Sequence, residues 1–182
     1  MRQTSVLART ALFAATMAAP ALAGAQSQPP IAEDPRIHEA VASASAERVR
    51  KDITTLVNFG TRHTMSDTLS KTRGIGAARR WIYSEFESIS KGCGGCLEVR
   101  YISDIVKGDP NGRIKQDINV VNVVAILRGS TEPNRFIVHT GDIDSRVTDV
   151  LNATSDSPGA NDNASGIAAL LEAARLMSKH KY

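Results

Sequence analysis

Ile118-Asn119-Val120-Val121-Asn122-Val123-Val124-Ala125-Ile126-Leu127 is almost uniformly apolar and rich in β-branched residues. A half-buried strand would alternate polar and apolar positions, so this run predicts a central strand buried on both faces. Upstream, residues 97–106 read as another strand. Between the two lies Gly108-Asp109-Pro110-Asn111-Gly112, dense turn chemistry. Downstream, residues 135–141 read as a further strand and residues 147–159 as a polar loop. Helical periodicity covers residues 40–58, with Val49, Ile53, Leu56 and Val57 close to one face, and Phe59-Gly60-Thr61-Arg62-His63-Thr64 supplies a glycine stop. A second amphipathic helix spans residues 75–89, with Ile75, Ala78, Ile82 and Phe86 in one stripe. A third spans residues 164–178, with Ile167, Leu170, Leu171 and Ala174 on a broad apolar face. Helices alternating with buried strands place the chain in the α/β class.

The 182 residues, 42% hydrophobic and 23% charged, suit one globular domain. Residues 1–25 contain Arg2 and Arg9 and no acid, so their removal lowers the net charge from +3 to +1. A strongly basic nucleic-acid domain is not indicated. No apolar run reaches about 18 residues, so no membrane span is expected. The basic start, the apolar stretch over residues 11–19 and the small-residue sites Ala21-Leu22-Ala23 and Ala23-Gly24-Ala25 read as a secretory signal peptide over residues 1–25. Residues 26–39 read as a proline-bearing linker and residues 40–182 as the folded domain. Export places Cys93 and Cys96 in an oxidising compartment, where a disulfide is expected. Redox catalysis by Cys-Gly-Gly-Cys would want the pair at the start of a helix. Here a helical pattern precedes it and a strand follows.

Some motifs fail on their surroundings. Gly74-Ile75-Gly76 lacks the third glycine of a dinucleotide loop, and no strand runs into it. Asn161, Asn163, Ser165, Gly166 and Glu172 fall on calcium-loop spacing, but Pro158-Gly159 replaces the entering helix and only Glu172 brings charge. The group that can carry chemistry is Asp142, Asp144 and Asp162. In extended chain Asp142 and Asp144 point the same way and His139 the opposite way. Both acids follow an apolar strand, where open α/β sheets place their ligand crevice. Asp162 precedes a helix, whose N-terminus favours the ionised carboxylate. A divalent cation would stabilise three converging carboxylates. Without one, Asp142 and Asp144 merely end a strand and Asp162 merely caps a helix, and spacing alone leaves both readings open.

The wording of two segments adds to this. Phe136-Ile137-Val138-His139-Thr140-Gly141-Asp142-Ile143-Asp144-Ser145 and Ser157-Pro158-Gly159-Ala160-Asn161-Asp162-Asn163-Ala164-Ser165-Gly166 together resemble metallopeptidase family 28. This is the bacterial leucyl-aminopeptidase type of co-catalytic zinc exopeptidase. Residues 119–125 are similar to its central strand and residues 168–175 to its following helix. The resemblance runs from about Thr54 to the C-terminus. It implies a three-layer helix/sheet/helix zinc-exopeptidase fold (phosphorylase/hydrolase-like), of which this chain holds the N-terminal part, incomplete at the C-terminus. It implies that Asp162 bridges two zinc ions, that Asp144 orients the first ligand, and that the Asp162–Asn163 peptide is cis. Asp142 stands where the family usually has histidine. Aspartate can bind zinc, but as a harder ligand it shifts preference toward manganese or magnesium.

The family continues into a strand ending in Glu-Glu, a general base followed by a metal ligand. This chain stops at Tyr182. Glu172 lies on the helix and cannot supply that pair, and His180 is too close to the terminus to match a late histidine ligand. The expectation is therefore an exported, secreted or periplasmic, zinc-dependent aminopeptidase acting on peptides, cut before its general base. The 182-residue chain itself would then be inactive. The alternatives are a non-catalytic binding domain on the same fold and a glutaminyl-cyclase-like acyltransferase.

Overall fold

A computed structural model describes residues 34–182 apart from Pro133. The expected signal peptide and residues 26–33 of the expected linker lie outside the described residues. The remainder of that linker is not extended. Asp34 accepts the Arg36 N–H at 2.9 Å and starts helix α1, Pro35–Ala42, with Pro35 in the first turn. Proline suits that position because its missing N–H would have no helical partner there.

The helix expected over residues 40–58 is broken. α2 is Ala46–Val57, and Ser45 caps it by accepting the Arg48 N–H at 3.2 Å. Serine at this position trades helix continuity for a side-chain bond to an otherwise unpaired N–H. α3 is Gly74–Gly92. Gly76 in its first turn is needed for contact, since a Cβ there would sit 2.1 Å from the Thr68 carbonyl oxygen. This close approach, not a phosphate loop, accounts for the glycine pair. At the other end of α3, Cys93 and Cys96 form a disulfide with Cα atoms 5.5 Å apart. It closes the turn into β1, Leu97–Val106.

β1 pairs antiparallel with β2, Ile118–Leu127, in the register Leu97 with Leu127 through Val106 with Ile118. The spans agree with the sequence reading, but the environment of β2 does not. Burial on both faces requires neighbouring strands and covering layers. Among the described residues β2 pairs only with β1, and its residues are half-buried or exposed. The strand expected over residues 135–141 is likewise not formed. Phe136, Ile137 and Val138 stand exposed, Ile137 at 90%. A strand is a property of a pair, and an apolar run without a paired neighbour has no ladder to join.

The core lies where α2, α3 and α4, Ser165–Met177, meet the start of β1. Leu56, Ala78, Ile82, Phe86, Leu97, Ile167 and Leu171 form it, and Val99, Val123 and Ala125 pack against it from the strands. An ion network locks the helices around this core. Arg175 on α4 reaches Asp52 on α2 at 2.5 Å and Glu85 on α3 at 2.8 Å. Glu172 on α4 accepts from Arg48 through both oxygens and from the Ser45 N–H at 2.8 Å. With its carboxylate spent in this way, Glu172 cannot close a calcium loop. The described residues thus form a mixed fold of helices and a small antiparallel sheet.

Candidate metal centre

Two loops meet beside the N-terminus of α4. One, residues 59–73, follows α2. The other, residues 143–159, leads into the turn that carries Asp162. Arg62 joins them. It is 1% exposed, and its guanidinium donates to four backbone carbonyls. Nε bonds Ile143 at 3.0 Å, Nη1 bonds Leu56 at 2.9 Å and Pro158 at 2.7 Å, and Nη2 bonds Gly159 at 3.0 Å. Its own N–H donates to Ser145 Oγ at 3.0 Å, and Ser145 Oγ in turn donates to the Ser157 carbonyl at 2.6 Å. Burial lowers the Arg62 pKa, and the nearby Asp144 charge opposes this. Arginine stays protonated throughout the usual pH range, so Arg62 is a permanent buried cation surrounded by carbonyl dipoles.

These bonds fix the backbone on both sides of the candidate acids. The Ile143 carbonyl lies between Asp142 and Asp144, and the Gly159 carbonyl lies three residues before Asp162. Gly159 has φ +47°, and a Cβ there would come within 2.4 Å of the Asp162 carbonyl oxygen and 2.7 Å of Ser145 Cβ. The tight turn therefore needs glycine on both conformational and steric grounds. Further bonds join the same loops. Thr61 Oγ1 meets Ser157 Oγ at 3.0 Å, and the Ser157 N–H donates to the Gly60 carbonyl at 2.9 Å.

The three acids have different surroundings. Asp144 is half-buried and accepts from Thr64 Oγ1 at 3.0 Å. A held carboxylate of this kind suits an orienting role better than direct ligation. Asp142 and Asp162 are exposed, and neither carboxylate is engaged by a described residue. Asp162 sits in non-helical backbone at φ −113°, ψ 97°, and its peptide bond to Asn163 is cis. It does not cap α4. Asn163 does that, its Oδ1 accepting the Gly166 N–H at 2.9 Å. The reading in which Asp162 merely caps a helix is thereby corrected. So is the expectation that the acids stand at the end of a strand containing Val138, since no such strand forms.

The donor chemistry suits a divalent cation, but the donor count is short. Among the described residues no group of three or more His, Cys, Asp or Glu side chains is placed to hold a metal ion. A zinc ion normally takes three or four protein ligands. His63, the nearest histidine in sequence to Arg62, is not available. Its Nδ1 accepts the Met65 N–H at 3.1 Å, and its Nε2 then donates to the Val150 carbonyl at 3.1 Å. Asp142 and Asp162 by themselves fall short of such a set.

Sequence reasoning missed Arg62, His63 and Asn163. Arg62 sits in a segment that reads simply as a helix stop. The available signal was an arginine between Thr61 and His63, with no acid in the same loop until Asp67.

Residues 122–182 match the model of peptidase family M28. It is similar to a probable zinc metalloprotease of Pyrenophora teres f. teres, 46% identical over 157 residues, which covers 85% of this chain and 31% of the relative. Probable zinc metalloproteases of Leptosphaeria maculans and Pyricularia oryzae are 44% and 43% identical, over 82% and 81% of this chain and 34% and 29% of the relatives. The chain thus spans about a third of the length of the curated relatives it matches.

Proposed function

We propose that the chain provides the first ligands of an exported zinc aminopeptidase. Asp162 and Asp142 would hold the metal, and Asp144 would orient the ligand shell. The observation that carries this reading is that the Asp162 carboxylate is unspent while Asn163 performs the capping. The match of residues 122–182 to the family M28 model and the names of the relatives support it. The bound metal would polarise the scissile carbonyl and lower the pKa of a water molecule. The chain's own residues set the position of the two carboxylates, through Arg62 on the backbone and Thr64 on Asp144. An aspartate in place of histidine at position 142 makes the site harder and more tolerant of manganese or magnesium.

The peptidase reading needs further donors and a proton-shuttling group, which the described residues do not supply as a metal-holding set. The 182 residues alone are therefore expected to release no nitroaniline from aminoacyl nitroanilides on addition of zinc. Turnover by this chain that a chelator stops and Asp162→Ala abolishes would show that these 182 residues suffice. A non-catalytic binding domain remains the second reading, favoured by the short donor count. The two part on zinc: the peptidase reading requires Asp162-dependent zinc binding and the binding-domain reading does not.

A further inference from the structure

Arg79, on α3, is the least explained charge among the described residues. It is 8% exposed, its Nε is fully buried, and no described residue accepts a hydrogen bond from that atom. The ion pairs of the fold involve Arg48, Arg175 and other arginines, but none reaches Arg79. Burial lowers its pKa, Tyr101 opposes that, and the like charge of Arg80 adds to it. A lysine in such a place could shed its proton, whereas a guanidinium effectively cannot. The Arg79 Nε–H is left without a described acceptor, and the side chain lines an open pocket that an anion can enter.

The surroundings provide room for one. Arg79 lines a cavity of about 230 Å³ together with Thr68, Gly76, Arg80, Tyr101 and Val121. Arg80 is held at its rim, its Nη1 donating to the Thr68 carbonyl at 2.9 Å and its Nη2 to Ser70. Tyr101 stacks on Tyr83 with ring centroids 4.5 Å apart, which fixes the opposite wall. The space is below the ~300 Å³ at which drug-sized ligand pockets begin, so it suits a small ion and not an extended ligand. No aspartate or glutamate lines it.

We propose that this cavity between α3, the loop after α2 and the sheet is a binding site for a small oxyanion, with Arg79 as its principal ligand. Two oxygens of a carboxylate or phosphate can meet the two Nη groups of Arg79 in a bidentate pair. Arg80 adds positive charge, and the hydroxyls of Tyr101 and Thr68 supply further donors. The site is separate from Asp142 and Asp162 and does not depend on the metal reading.

The test follows the Arg79 Nε–H resonance by NMR in the full-length protein during titration with sodium acetate and, separately, inorganic phosphate. Sodium chloride at matched ionic strength is the reference. A saturable shift of this resonance with either oxyanion is expected, and which of the two binds more tightly identifies the ligand as carboxylate or phosphate. Arg79→Met should weaken oxyanion binding, read as a thermal shift, by roughly tenfold or more, while Arg80→Met should weaken it less. Should Arg79→Met fail to fold, the wild-type resonance decides alone. No saturable shift with either ion, a shift matched by chloride, or thermal stabilisation by oxyanion that persists in Arg79→Met would overturn the proposal.

Discussion

Arg62 does with one side chain what a loop of this length cannot do for itself. Residues 143–159 carry little regular structure, and their carbonyls need donors if they are to stay in one place. Replacing Arg62 by Met would leave the carbonyls of Leu56, Ile143, Pro158 and Gly159 without these bonds. Each buried acceptor left unpaired costs about 1–3 kcal/mol, with water relieving part of it. We expect Arg62→Met to destabilise the protein by roughly 3 kcal/mol or more, measured by urea denaturation. Arg62→Lys keeps the charge but loses the fork, so it should fold and yet misplace Asp142 relative to Asp162. Zinc affinity is then expected to fall roughly tenfold, as for other changes behind a ligand shell. Competition with a chromophoric chelator measures this. Unchanged affinity in a folded Arg62→Lys protein would remove Arg62 from the positioning of the site.

At the scale of elements, the helices are joined by charge as well as by the apolar core. The hydrogen bonds from Arg48 hold the Glu172 carboxyl below the usual carboxylate range, burial opposes them, and the Ser45 N–H adds to the lowering. A carboxyl with a depressed folded pKa stabilises the fold above its unfolded value of about 4.3, and that contribution is lost as pH falls through the folded value. Glu172→Gln should therefore cost about 1–2 kcal/mol at neutral pH, and the difference from wild type should shrink at pH ~3. Denaturant unfolding at the two pH values checks the sign. A gap that widens in acid would contradict it.

Elements differed in how far the sequence revealed them. β1 and β2 are legible because β-branched runs and a dense turn lie side by side, so the partner of each is its neighbour in the chain. Residues 135–141 hold the apolar run Phe136-Ile137-Val138 but no adjacent partner, and an apolar run cannot supply a ladder. The break before α2 was signalled by Ser45 ahead of Ala46 and Glu47, a capping pattern that the surrounding periodicity hid. At the candidate site, wording singles out Asp142, Asp144 and Asp162 only as candidates, whereas Arg62 acts through backbone carbonyls, which leave no trace in residue type.

For the molecule as a whole, the described residues contain two loops joined by Arg62 and two unspent carboxylates, but not a complete donor set. No helix among them is long and apolar enough to cross a membrane. The disulfide between Cys93 and Cys96 and the leader-like start accord with the proposed export. Everything proposed about activity depends on a metal ion lying between Asp142 and Asp162. Anomalous diffraction at the zinc edge from crystals of the zinc-loaded protein locates that ion directly. The expected result is a peak about 2.0–2.2 Å from a carboxylate oxygen of each residue, absent in Asp162→Ala, with Asp144 bonded to Thr64 and not to the ion. Zinc bound away from both residues, or bound equally well in Asp162→Ala, would contradict the account.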